Sequence, residues 1–278
     1  MANSKTSAKP DFATIGGLLL ALGGIAAGLI MEGGRIQDVA QITSALIVLG
    51  GTIGAVMVTT PLPVLIRAAK KISTVFFSRE DSVSDTVEEI IEYATRARRD
   101  GIVSLESQAA AIENHFLKKA LELAVDGIEP VRIRDIMELE IQLFEESVEA
   151  EAKVYESAGG YAPTIGIIGA VLGLIQVMKN LANIDEVGQG IAVAFVATIY
   201  GVASANILFL PVANKLRARG KQAVQLHELM LEGVLSIAEG VNQKLIRIKL
   251  DAYLAAGSEP GAAAYKDQSA SEPVSAEG

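Results

Sequence analysis

The chain has no cysteine and no tryptophan, only two histidines, and 5% aromatic residues among its 278 positions. Without cysteine, disulfides and thiolate metal sites are excluded. His115 and His227 stand alone, with no neighbouring His or Cys to complete a metal site. There is no glycine-rich phosphate loop, no nucleophile elbow and no basic patch of the kind that grips nucleic acid. The reading is therefore of a protein that is not an enzyme, binds no nucleic acid and needs no cofactor. The absence with the largest consequence is of charge, in four places. Phe12 to Met31, Val39 to Ile66, Ser157 to Met178 and Val187 to Asn214 contain no Asp, Glu, Lys, Arg or His. At about 1.5 Å rise per residue, even the shortest run covers about 30 Å, the thickness of a hydrocarbon core. A formal charge of −9 would alone fit a soluble acidic protein; its distribution implies an all-α integral membrane protein with four transmembrane helices.

Lys5 and Lys9 precede the first run, which raises a secretory signal as an alternative. The run is longer than a typical signal core, and Met31-Glu32-Gly33 lacks the small-residue cleavage pattern, so a retained helix is expected. Orientation follows from Lys and Arg near the span ends rather than from net charge. Arg67, Lys70 and Lys71 follow the second run, Lys153 precedes the third, and Lys215, Arg217, Arg219 and Lys221 follow the fourth. The connectors MEGGRIQD and KNLANIDE carry one basic residue each. Both termini are thus expected on the cytoplasmic side of the membrane. The organisation reads as an N-terminus over 1–11, spans one and two within 12–66, a helical cytoplasmic domain over 67–156, spans three and four within 157–214, a cytoplasmic helix over 215–254 and a disordered tail over 255–278.

Within 67–156, Ser82 with Asp85 resembles a capping box that opens a helix through VEEIIEYATRARR, and Gly101 ends it. Ser104 is expected to cap the next helix, SLESQAAAIENHFLKKALELAV, and Pro130 to open another that runs toward the third span. After span four, Leu226, Met230, Val234, Ile237, Val241, Leu245 and Ile248 recur at helical spacing, so one side of that helix is apolar.

Proton-relaying membrane proteins usually bury an ionisable residue, and these spans hold none, so this chain is not a complete ion relay by itself. They do offer Thr43, Thr52, Thr59, Thr60, Tyr161, Thr164, Thr198, Tyr200, Ser204 and Asn206. Such hydroxyl and amide groups either line a water path or bond their own helix carbonyls. Gly24 and Gly28, Gly50 and Gly54, and Gly169 and Gly173 have the G-x-x-x-G spacing that lets helices approach closely, which favours a tightly packed oligomer. Pro163 lies near the start of span three and Pro211 near the end of span four. The short connector makes these spans an antiparallel hairpin, with the two prolines expected at similar depth, as a static kink or a hinge. In RRDGIVSLE, Arg98 and Glu106 flank the Gly101 break, either as a solvated face or as an electrostatic contact.

Together these features resemble the flagellar motor stator A-subunit (MotA) family, within the MotA/TolQ/ExbB group of ion-driven motors, over about residues 12 to 250. YAPTIGIIGAVLGLI is similar to that family's third span and AFVATIYGVASANILFLPVANKL to its fourth, while RRDGIVSLE resembles its charged cytoplasmic signature. The leading hairpin favours the flagellar branch over the three-span TolQ and ExbB relatives. The resemblance implies functional prolines at Pro163 and Pro211 and rotor-contacting charges at Arg98 and Glu106. It also implies a homopentamer around a stator B-subunit dimer that supplies the ion-binding aspartate, torque passed to the rotor's switch protein, and a bacterial inner-membrane location among membrane lipid. Sodium-driven relatives typically carry Thr where this chain has Ala170, seven residues after Pro163, whereas Thr198 is similar to a hydroxyl position found in both branches. With Thr164 beside Pro163, these residues form the expected ion path. Loss of one hard oxygen at Ala170 makes H⁺ the expected coupling ion rather than Na⁺. The alternatives are a paralogous TolQ/ExbB-type energiser of another envelope machine, a sodium-driven stator, and a membrane scaffold without ion flow.

Overall fold

The computed structural model describes residues 9–78 and 83–258. They divide into two compact units, one drawn from residues 1–80 and 145–220, the other from 81–144 and 221–278.

In the first unit, Lys9–Pro10 (β1) pairs antiparallel with Phe77–Ser78 (β2). Helix α1 (Phe12–Met31) opens at Asp11, whose carboxylate accepts from the Thr14 amide at 3.0 Å. The charge-free α1 buries no residue within the chain, so its apolar surface is left for lipid or another subunit. A short α2 (Ile36–Val39) leads to α3 (Ile42–Ala45), a π-helical stretch (Leu46–Gly50) and α4 (Gly51–Thr59), which together form the second span. The apolar run from Val39 to Ile66 is therefore not one helix. Thr60 is extended and Pro61 has ψ 137, because the residue before a proline is pushed out of the helical region and proline cannot continue the ladder. A separate amphipathic helix, α5 (Leu62–Phe76), follows and carries Arg67, Lys70 and Lys71.

Two long helices carry the rest. Helix α9 (Pro130–Lys179) is one 50-residue helix with Pro163 inside it. Helix α10 (Ile184–Ala203) passes through a π-helical stretch (Ser204–Phe209) into α11 (Leu210–Ala238). The boundaries at 156/157 and 214/215 thus mark changes of composition, not helix ends. The wider π turns lie immediately before Pro211, where they relieve the clash between its ring and the carbonyl one turn back.

The second unit contains α6 (Val83–Asp100), a 3₁₀ turn (Ile102–Leu105), α7 (Glu106–Ala109), α8 (His115–Val125), the first turns of α9, the end of α11 and α12 (Gln243–Ser258). Its core is built from Ile90, Leu105, Leu117, Leu121, Ile133, Met137, Leu229, Met230 and Leu250. Gly101 ends α6 with φ 84, which favours glycine. The Ser82 cap lies outside the described residues. Ser104 does not open a long helix: its hydroxyl donates back to the Gly101 carbonyl at 2.6 Å, and α7 stops at Ala109. Asn114 caps α8 instead, accepting from the amides of Phe116 and Leu117 at 3.0 and 3.1 Å. The single helix expected over 215–254 is likewise two. Gly240, at φ 69, breaks it, and the break re-phases the apolar side. Leu226, Met230, Val234 and Ile237 are buried as the spacing predicts, but Ile246 and Leu250 take over the core while Leu245 and Ile248 are exposed. Helix α12 also runs to Ser258, past the expected start of the tail.

Candidate functional site

Spans three and four meet along a seam of small residues. A Cβ placed on Gly166 would come 2.9 Å from the Ala197 carbonyl oxygen, one on Gly173 2.8 Å from the Gly190 carbonyl oxygen, and one on Gly201 2.6 Å from the Ala162 carbonyl oxygen. Backbone meets backbone, the close approach that small residues permit. Of the three G-x-x-x-G pairs, only Gly169 and Gly173 pack in the seam, Gly173 on backbone and Gly169 on the Ala197 methyl; Gly24, Gly28, Gly50 and Gly54 meet nothing within 4 Å.

This seam fixes the register of the hairpin and places the expected site residues. Half-buried Pro163 lies against Gly201, its Cα 3.2 Å from where a Gly201 Cβ would stand. Ala170 and Thr198, both half-buried, flank the contact of Gly169 with Ala197. Thr164 is exposed one residue along from Pro163, its hydroxyl donating to the Tyr161 carbonyl at 2.8 Å. Pro211 is elsewhere. Gly159, four residues before Pro163, already packs on Leu210, so Pro211 sits roughly five residues, or about 8 Å, from Pro163 along the hairpin. The expectation of equal depth is therefore corrected: short connectors pair spans, but the small-residue seam sets which turn meets which.

The hydroxyls are mostly satisfied locally. Thr59 donates to Ala55, Thr198 to Ala194 and Ser204 to Gly201, and the Asn206 amide donates to Val202. Two links are long-range, joining span two to span four. Ser44 donates to the Val193 carbonyl at 3.2 Å, and the Tyr200 hydroxyl donates to the Val39 carbonyl at 2.6 Å while accepting from the Gln41 amide at 3.2 Å. The Thr52 hydroxyl is fully buried with no hydrogen-bond partner among the described residues.

Below the spans, a charged collar ties the elements of the first unit together. The Glu151 side chain, 2% exposed on α9, meets Lys71 at 2.7 Å and Arg67 at 3.5 Å on α5, and nearby Tyr155 donates to the Ala68 carbonyl at 2.9 Å. Arg217 grips Glu149 with two nitrogens, at 2.8 and 2.7 Å, and also pairs with Glu156. Asp11 receives Lys215 at 2.7 Å and Arg219 at 2.8 Å. Hydrogen bonding from Lys215 and the Thr14 amide holds the Asp11 carboxyl far below the usual carboxylate range. Sequence reading counted these cations as topology markers and missed their partners, because the acids lie on other elements.

Arg98 and Glu106 sit at the α6–α7 corner, on either side of Gly101, and both are exposed. Neither makes an ion pair among the described residues, whereas adjacent Arg99 pairs with Asp100 at 2.8 Å. The corner thus presents one cation and one anion to water, each available to an outside partner. In the same unit, His227 stacks on Phe116 with centroids 4.3 Å apart and meets Phe144 edge-on at 5.1 Å. Burial lowers its pKa, and its Nδ1 has no hydrogen-bond partner among the described residues.

Residues 15–101 match the motility protein A N-terminal family, and residues 108–229 match the MotA/TolQ/ExbB proton channel family. Motility protein A of Bacillus subtilis is 39% identical over 251 residues, covering 88% of this chain and 92% of its own length. Among solved structures, C. jejuni MotAB contains a chain with a TM-score of 0.85 and 36% identity, matched over 90% of this chain and 98% of that one. A chain of the flagellar MotAB stator complex of B. subtilis has a TM-score of 0.81 and 37% identity, matched over 88% of this chain and 96% of that one. With two abutting family matches and relatives this similar over nearly its whole length, the chain belongs to the motility protein A family, within the MotA/TolQ/ExbB proton channel family.

Proposed function

We propose that this chain is the A-subunit of a bacterial flagellar stator, in which copies of it, five by family resemblance, surround a B-subunit dimer in the inner membrane. The observation that carries the reading is a combination. The chain matches a flagellar stator complex over most of its length, yet its four spans contain no ionisable side chain. A subunit built this way walls an ion path whose titrating carboxylate comes from another chain. Pro163, Thr164 and Ala170 on span three and Thr198 on span four line the proposed path, and Pro211 supplies a second yielding point near the end of span four. One elementary charge moving through 100 mV releases about 2.3 kcal/mol, which drives rotation.

The coupling ion is H⁺ in this reading, supported by the methyl group of Ala170 where a further hydroxyl would favour Na⁺. Arg98 and Glu106 then carry torque to charges on the rotor's switch protein, supported by their exposure and by the absence of an ion pair to either among the described residues. Both termini are cytoplasmic in this arrangement, supported by the distribution of Lys and Arg. The chain acts as a motor subunit, with no enzymatic step and no cofactor of its own.

The test is co-expression with a B-subunit from which the plug segment has been deleted. Acidification of the cytoplasm, lost when the B-subunit aspartate is replaced, is expected. No ion flux from an assembled complex would instead support a scaffold, and flux that follows external Na⁺ would overturn the choice of ion. Deletion of the gene is expected to stop swimming; retained swimming would point to an energiser of another envelope machine.

A further inference from the structure

Two apolar stripes in the second unit are left uncovered. On α9, Ile136, Leu139 and Leu143 are 42%, 56% and 57% exposed. Their spacing puts them on one side of the helix. On α12, Leu245 and Ile248 are 58% and 67% exposed, the pair that the Gly240 break rotated out of the core. Hydrocarbon does not cover the α9 stripe, because the charged residues 144–156 separate it from the charge-free run that begins at Ser157.

The stripes differ in the balance of exposed charge beside them: Glu129, Asp135 and Glu146 outweigh Arg132 around α9, and Lys244 and Lys249 outweigh Asp251 on α12. Exposed Asp135 stands beside the α9 stripe, with Glu146 beyond its far end. Exposed Lys244 stands beside the α12 stripe and makes no ion pair among the described residues. They also face different ways. At about 100° per residue, the α9 stripe lies on the opposite side of its helix from Arg134, which reaches Glu232 at 3.4 Å. Glu232 in turn holds Lys249 of α12. The surface that α9 turns toward this charge cluster is therefore not the surface that carries its stripe.

Two complementary surfaces on different sides of one subunit make a head-to-tail contact, the kind that propagates into a closed ring; a self-complementary patch stops at a dimer. We infer that the α9 stripe Ile136–Leu139–Leu143 of one copy docks on the α12 stripe Leu245–Ile248 of the next copy, with Asp135 facing Lys244 across the contact. The inference rests on the oligomeric stator reading and adds to it the cytoplasmic surfaces by which neighbouring copies join.

The native chain has no cysteine, so an introduced pair reports without background. Leu139→Cys and Leu245→Cys are combined in the full chain, co-expressed with its B-subunit in membranes and oxidised with copper phenanthroline. A ladder of covalent dimers, trimers and larger species is expected, with less than a tenth of that yield from either single variant. Lys244→Glu is expected to lower the ladder at least fivefold, and adding Asp135→Lys to restore it. Dimers alone from Leu139→Cys would mean a self-complementary patch, and an internal crosslink in a monomer would mean that the chain covers itself; both overturn the inference. So does the absence of any ladder from a complex that runs at full size before oxidation. A chain that runs as a monomer before oxidation overturns the stator reading as well, and so separates the two failures.

Discussion

The hydroxyl of Tyr200, in span four, closes a break in the backbone ahead of span two: it donates to the Val39 carbonyl and accepts from the Gln41 amide, at 2.6 and 3.2 Å. Within the backbone these two peptide groups meet each other across a tight turn, the Gln41 amide donating to the Val39 carbonyl at 3.2 Å, where α2 ends and α3 has not begun. One side chain thus satisfies both a donor and an acceptor in an apolar setting. Tyr200→Phe is expected to cost about 0.5–1.5 kcal/mol, because the two peptide groups keep only their 3.2 Å bond to each other once the hydroxyl is gone. The measurement is the thermal midpoint of the detergent-purified complex; an unchanged midpoint would show that the break has other means of support.

Gly201→Ala tests the seam. The added carbon meets the Ala162 carbonyl and the Pro163 backbone rather than a flexible side chain, so the spans must separate. Overpacking of this kind costs about 1–3 kcal/mol. Yield of assembled complex is expected to fall, whereas Gly188→Ala, which meets nothing within 4 Å, leaves it unchanged. Equal yields from the two variants would remove the seam from the account.

Glu151→Gln isolates the buried carboxylate of the collar. Breaking a buried ion pair costs about 3–5 kcal/mol, but Lys71 and Arg67 are 37% and 50% exposed and recover water, so about 1–2 kcal/mol is expected. Pairing Glu151→Met with Lys71→Met should recover most of the loss. A double variant as unstable as the two single losses added together would mean that the charges do not act as a pair.

His227 gives the second unit a pH dependence of known sign. Burial between Phe116 and Phe144 lowers its pKa from 6.5, against a smaller opposing pull from Glu140. The unfolded chain therefore takes up a proton at a higher pH than the folded one. Stability from the neutral imidazole is complete above the unfolded value and is lost as pH falls below it. Melting of the complex between pH 7.5 and 5.5 should show a drop that His227→Gln flattens. The same slope in both proteins would assign the effect to other groups.

Much of this architecture was legible in the chain. Four uncharged runs marked the spans, since nothing else tolerates such stretches at that length. Gly101 and Pro130 marked true helix ends, because backbone geometry at those residues is local. What failed to show was register. The breaks at Thr60–Pro61 and Gly240 were hidden inside continuous apolar patterns, and the end of α7 depended on Asn114, read as mid-helix. Pro163 and Pro211 stood out in the sequence, but their offset did not, because it depends on which glycines meet. Glu151 and Asp11 gave no signal, because their partners are remote in sequence.

The π-helical stretch over Ser204–Phe209 carries a final consequence. A π turn is what an α-helix becomes when it absorbs one extra residue, and it resets the angular phase of everything downstream by about 100°. Lys215, Arg217 and Arg219 reach Asp11, Glu149 and Glu156 only at the present phase. Removing one residue from 204–209 would straighten the helix and turn all three cations off their carboxylates together. Conversely, a π turn shifted along span four would rotate that collar without breaking the helix.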